Sequence, residues 1–223
     1  KGKKMSMMTT EQLYKALLKH MGPQGWWPAD TREEMILGAI LVQNTNWNNA
    51  ALSLRRLKEA THFEPQNILN LPIEELKILI RSSGFYNNKS KAISTLFNWL
   101  NQYQFDYCKI NEVYGEHLRN ELLKLHGIGS ETADVLLVYI FERVEFIPDH
   151  YTRRLYRKLG YANTENYDKL KRHVELPSNF TNQDANEFHA LLDNFGKNYF
   201  NGSIEQRYHF LDQYFYKNGL TLT

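Results

Sequence analysis

One cysteine, Cys108, stands among 223 residues. That excludes an intramolecular disulfide and any zinc or iron–sulfur site built on several cysteines. A lone cysteine in a reducing compartment is read as a small buried hydrophobe. Proline and glycine are scarce, at 6 and 12, so little chain is left for structureless linkers. No apolar run approaches the ~20 residues that a membrane span requires. The basic start Lys1-Gly2-Lys3-Lys4 has no apolar stretch behind it of the kind a signal peptide needs, and it is set aside from the fold. Excess charge is missing too: 27 Lys+Arg face 25 Asp+Glu, a net +2. Any affinity for nucleic acid therefore has to come from a local patch. None of the eight histidines shows metal-ligand spacing, so no side-chain metal site is expected.

What is present is helical periodicity. Ile93, Leu96, Phe97 and Leu100 recur at i, i+3, i+4, i+7, as do Ala133, Leu136, Leu137 and Ile140. The nearly continuous apolar run from Met35 to Val42 reads as a central buried helix. No convincing period-2 strand is found. Helices are predicted near 10–20, 31–43, 46–60, 73–82, 88–102, 112–125, 130–143, 150–159, 165–175, 183–198 and 204–217. Pro65, Pro72, Gly84, Gly127, Gly129, Gly160 and Gly202 are read as turn residues. The expected fold class is all-α.

The stretch Leu125-His126-Gly127-Ile128-Gly129-Ser130-Glu131-Thr132-Ala133-Asp134 places a Gly-x-Gly turn between two helices. Ile128 can plug the space between them, while backbone amides from Gly127 to Glu131 face outward at a positive helix N-terminus, a site for a phosphate. Gly127, Ile128, Gly129, Ser130 and Thr132 are the candidate phosphate-binding residues. A monovalent cation, Na+ or K+, on the turn carbonyls could assist. Gly-x-Gly alone fits an ordinary helix connection with a glycine cap; the longer string, followed by Pro148-Asp149, favours the phosphate-binding hairpin.

In these residues the sequence resembles the helix-hairpin-helix DNA glycosylases of the endonuclease III superfamily. In that family an Asp at the mouth of the base pocket follows the hairpin by about twenty residues; here Asp149 lies twenty after Gly129, with Arg154 beyond it. Gly38-Ala39-Ile40-Leu41-Val42-Gln43-Asn44-Thr45 looks like the family's buried helix ending in a glutamine that fills the gap left in the duplex. Ser83-Gly84-Phe85-Tyr86-Asn87-Asn88-Lys89-Ser90-Lys91-Ala92 and Phe188-His189-Ala190-Leu191 also match family segments. The resemblance implies two helical lobes with an active-site cleft between them: 32–145 as a continuous bundle ending in the hairpin, and 5–31 with 146–223 as the second lobe.

Two departures from endonuclease III carry information. Phe200 stands where the first cysteine of an iron–sulfur loop would be, so no cluster and no other cofactor is expected. Glu131 stands where bifunctional members carry a nucleophilic lysine, and a carboxylate cannot form a Schiff base. The nearest resemblance is to the cluster-free 3-methyladenine DNA glycosylase III branch, which implies a base pocket of Trp26, Trp27, Pro28 and Trp47, with Glu131 and Lys197; in that branch the pocket lysine is carbamylated.

Hydrolysis of an N-glycosidic bond builds positive charge on the sugar, and Asp149 is the candidate to stabilise it. Its structural alternative is an N-cap after Pro148. Trp26 and Trp47 suit stacking of an extruded cationic base. Arg55-Arg56, Lys89/Lys91 and Arg153-Arg154 are candidate phosphate contacts. The expectation is a monomeric, monofunctional enzyme releasing alkylated purines from damaged double-stranded DNA, without membrane contact, in a bacterial-type cytoplasm and nucleoid-associated through DNA. The alternatives are an endonuclease III-like oxidised-pyrimidine glycosylase with lyase activity, and a non-catalytic DNA-binding module.

Overall fold

In a computed structural model that describes residues 7–25, 29–202 and 205–216, the protein is helical, with no strand among the described residues. The first five helices are α1 (Thr10–Met21), α2 (Arg32–Leu41), α3 (Trp47–Thr61), α4 (Pro65–Leu69) and α5 (Ile73–Leu79). Then come α6 (Tyr86–Asn101), α7 (Tyr107–Tyr114), α8 (Leu118–Leu123) and α9 (Ser130–Tyr139). Last are α10 (His150–Lys158), α11 (Tyr167–His173) and α12 (Asn182–Phe200). Short 3-10 turns occupy Arg81–Ser83, Gly115–His117 and Gln206–Tyr214. Among the described residues, no helix is long and apolar enough to cross a membrane.

Local chemistry sets the starts. Thr9, Thr31, Asn46, Asp106, Asp149, Asn166 and Thr181 each accept a hydrogen bond from the backbone N–H three residues on, a cap worth ~1 kcal/mol. Four expectations are corrected. Pro65 begins α4 instead of marking a turn, because a first-turn residue needs no N–H. The single helix expected over 112–125 is broken into α7 and α8 by Gly115 at φ 52°. The helix expected over 130–143 ends at Tyr139, where Arg143 N–H reaches back to Leu137 O at 2.8 Å in a wide turn. The helix expected at 204–217 is a 3-10 segment, Gln206–Tyr214.

The chain divides into two compact units, Trp27–Arg143 and the two chain ends, Lys1–Trp26 with Val144–Thr223. The first is built round α2, whose residues from Met35 to Leu41 are all buried, so it is apolar on every side. It packs against α3, α6 and α9. Both periodic quartets, Ile93/Leu96/Phe97/Leu100 and Ala133/Leu136/Leu137/Ile140, are buried, each large apolar side chain contributing ~1.5–3 kcal/mol. In the second unit α1 and α10 pack on α12 over Tyr156, Phe188, Leu191 and Phe195. Helix α10 turns Leu155 and Tyr156 inward. Cys108 is exposed, against the expectation of burial: Tyr107 and Ile110 take the inward face of α7 and leave its neighbour to solvent.

Candidate active site

In the hairpin between α8 and α9, Gly127 has φ 75°, and a Cβ there would lie 2.6 Å from Ala92 Cβ on α6. Both the backbone conformation and the close seat on α6 demand glycine. Ile128 is buried, as a plug should be, but its N–H donates to Leu125 O at 3.2 Å and is not available to a phosphate. Gly129 has ordinary extended geometry, φ −86°, as the N-cap of α9; space is open where its Cβ would go. Ser130 and Glu131 are half-buried in the first turn of α9. Thr132 is 3% exposed, so its hydroxyl faces inward and only its backbone belongs to the helix end. Below the turn, Arg119 Nε and one terminal nitrogen reach the two carboxylate oxygens of buried Asp134 at 2.9 and 3.3 Å, tying α8 to α9.

The turn after α2 carries Gln43, half-buried, whose side-chain amide makes a long 3.4 Å contact with Ala39 O. Trp47 opens α3 behind its Asn46 cap and is 48% exposed. An indole presented to solvent in this way invites a binding role. A second exposed aromatic escaped the sequence reading as an individual: Phe85, 64% exposed and left-handed at φ 45°, immediately before α6. Its signal was available in Gly84-Phe85 ahead of a polar helix start. Lys89, read as a phosphate contact, is instead buried; its ammonium donates to Leu41 O at 2.9 Å and Ser83 O at 2.7 Å. Its alkyl stem lies in the core, and burial lowers its pKa from the ordinary lysine value.

In the other unit, Asp149 caps α10, and its Oδ1 accepts from Thr152 N–H at 2.9 Å. Its Oδ2 faces His189 Nε2 on α12 at 3.6 Å. Burial acts to raise the carboxyl pKa, but His189 and Thr152 together outweigh it and hold Asp149 below the ordinary aspartate value. Cap and charged partner are thus one residue. His189 lay within a matched segment, but no spacing rule pairs it with a residue 40 positions earlier.

Beside this pair Tyr151 lies against Gly196, where a Cβ would come within 2.3 Å of it. Phe200, at the place of an absent cysteine, is parallel to the Tyr151 ring at 6.4 Å and carries the Arg154 guanidinium 4.2 Å above it. Arg153 donates to Pro148 O at 2.9 Å. Lys197 is half-exposed and paired with Asp193 at 2.7 Å. Trp26, Trp27 and Pro28 lie outside the described residues. No group of three His, Cys, Asp or Glu side chains able to hold a metal occurs among the described residues.

An open helix start at Gly129 and a partly buried carboxylate, Asp149, held below its ordinary pKa, are what a glycosidic-bond hydrolase acting on DNA would require. Residues 37–179 match the HhH-GPD superfamily of base excision DNA repair proteins. The chain belongs to that superfamily. It is a base excision repair DNA glycosylase, a hydrolase of N-glycosyl bonds. Among curated relatives, this glycosylase is 39% identical over 189 residues to a Methanocaldococcus jannaschii protein named as a DNA repair glycosylase, covering 81% of this chain and 84% of the other. It is 28% identical to endonuclease III of Sulfolobus acidocaldarius over 70% and 69% of the two chains. Among solved structures it resembles the H. pylori 3-methyladenine DNA glycosylase bound to 1,N6-ethenoadenine, with TM-score 0.70, 29% identity, and coverage of 85% and 97%.

Proposed function

We propose that this glycosylase hydrolyses the bond between an alkylated purine and its sugar, with water and not a protein amine as the nucleophile. The observation that carries this is Asp149, whose carboxylate is oriented by Thr152 N–H on one oxygen and by His189 on the other. Held ionised, it is a weak base but a strong electrostatic partner for a sugar that becomes cationic. The bonding pair leaves with the base; a base already positively charged departs neutral and needs little acid assistance. Water then adds to the anomeric carbon and gives up its proton to solvent or to Asp149.

Other features support the reading. Glu131 occupies the first turn of α9, a carboxylate where an amine would be needed for a covalent route. Glu121 holds the Lys124 ammonium above its ordinary pKa, which keeps it charged and unsuited to attack. The H. pylori relative is named for 3-methyladenine and is bound to 1,N6-ethenoadenine. Trp47 would stack on the extruded base, with Trp26, Trp27 and Pro28 completing the recognition set. Gln43 would occupy the vacated position and Phe85 would wedge beside it, as apolar side chains do when a base step is opened. The hairpin, through Gly129 and the first turn of α9, would hold a phosphate of damaged duplex DNA.

The test is base release from a duplex bearing alkylated purines against one bearing an oxidised pyrimidine. Release from the first alone, with no borohydride-trapped complex, is expected; efficient trapping would move the protein to the lyase branch. Asp149→Asn should lower single-turnover release ~100-fold or more, the scale for losing a key electrostatic stabiliser, with duplex affinity kept. Near-normal release by a folded Asp149→Asn would remove Asp149 from the chemistry.

A further inference from the structure

Lys89 is a buried cation that the glycosylase chemistry leaves unused. Its ammonium sits at the C-terminal carbonyls of two separate elements: Leu41 O closes α2, and Ser83 O closes the 3-10 turn Arg81–Ser83. Both are negative helix ends that a cation suits. Two residues beyond Leu41 comes Gln43; two beyond Ser83 comes Phe85. The Lys89 backbone N–H donates to Phe85 O at 2.9 Å, so one residue holds the roots of both tips. Neighbouring bonds extend the brace to α3: Ser82 Oγ donates to Asn49 O at 3.1 Å, and the Ser53 and Ser83 hydroxyls are 2.7 Å apart. One turn further along α6, Ala92 seats the hairpin through Gly127.

We propose that Lys89 is a positioning residue that sets the Gln43 turn and the Phe85 tip in register with each other, so that both enter an opened duplex as one unit. The inference rests on the reading of Gln43 and Phe85 as residues that act on the duplex during base extrusion. It differs from that reading in assigning the relative placement of the two tips to a buried amine that touches no DNA. A lysine is suited to this because one compact ammonium on a long stem can serve two carbonyls from different elements at once.

Extrusion costs most where a partner base must be unpaired and the gap filled. The test therefore compares single-turnover release of one alkylated purine placed opposite thymine in intact duplex and opposite an abasic site. In Lys89→Met, which keeps the stem and loses both donors, release opposite thymine should fall ~10-fold or more, since a misplacement of about 1 Å can cost 100-fold. Release opposite the abasic site should stay within about threefold of the unaltered protein. Lys89→Gln, an uncharged donor, should recover part of the intact-duplex rate, and it carries the same comparison if the Met variant does not fold. Equal loss on both substrates, or no loss on either, overturns the positioning role while leaving the glycosylase reading intact. If the unaltered protein releases no alkylated purine from either substrate, the alkylpurine reading itself fails and this inference falls with it.

Discussion

Gly127 and Gly129 are two residues apart in one turn, yet the structure separates their roles. Gly127 is left-handed and its missing Cβ makes room for Ala92, whereas Gly129 is extended with open space above it. Gly127→Ala should therefore act on the fold, costing ~1–3 kcal/mol through backbone strain and overpacking, read as a lower midpoint in urea. Gly129→Ala should leave that midpoint within ~0.5 kcal/mol and weaken binding to all duplexes alike, because a phosphate contact carries no sequence information. Equal destabilisation by the two, or unchanged duplex affinity in Gly129→Ala, would refute the division. At this scale the sequence was partly legible. A Gly-x-Gly between helices announces a turn, and an Asp after a Pro announces a cap, because both are local rules. Lys89 and Cys108 were misread because burial depends on which face of a helix meets the core, and their neighbours do not reveal that for a single residue.

At the scale of elements, helix interiors followed from apolar periodicity and several starts from Ser/Thr/Asp/Asn caps. The helix expected over 112–125 divides at Gly115 since its carbonyl and Asn111 hold Arg143, at 2.8 Å each, a long-range demand unseen in local propensity. The hairpin's second anchor is likewise non-local: the Arg119–Asp134 pair joins α8 to α9 beneath the turn. Arg119→Met should destabilise by ~3 kcal/mol, the lower end for breaking a buried pair, since Arg119 is itself partly exposed. Urea unfolding measures this, and a loss under ~1 kcal/mol would show that the pair does not hold the hairpin. Duplex affinity should fall with it, because the end of α9 proposed to hold a phosphate is positioned from below.

For the whole molecule, three carboxylates held below their ordinary pKa, Asp149, Asp184 and Asp212, belong to the unit made from the chain ends. Thr181 is the main cause at Asp184; at Asp212 burial opposes the shift, and His209 and Tyr199 overcome it. A depressed native pKa contributes stability that is complete above the unfolded value of roughly 3.9 and is lost as pH falls through the lower native value. On acidification below about pH 4, hydrogen-exchange protection should thus be lost in α1, α10 and α12 before α2, α6 and α9. Loss in the opposite order would sink the prediction. By the same sign, Asp149 stays ionised from pH 5 to 8, so a fall in release rate across that range would have to arise from another group. By itself the sequence determined the helical class, the buried quartets, the hairpin and the cap at Asp149, because each rests on neighbours within a few positions. Only the tertiary structure decided that His189 faces Asp149, that Gly127 is seated on Ala92 and that Lys89 joins α2 to the base of α6. Those pairings are set by how helices pack, and packing brings together residues whose separation along the chain carries no signal of their contact.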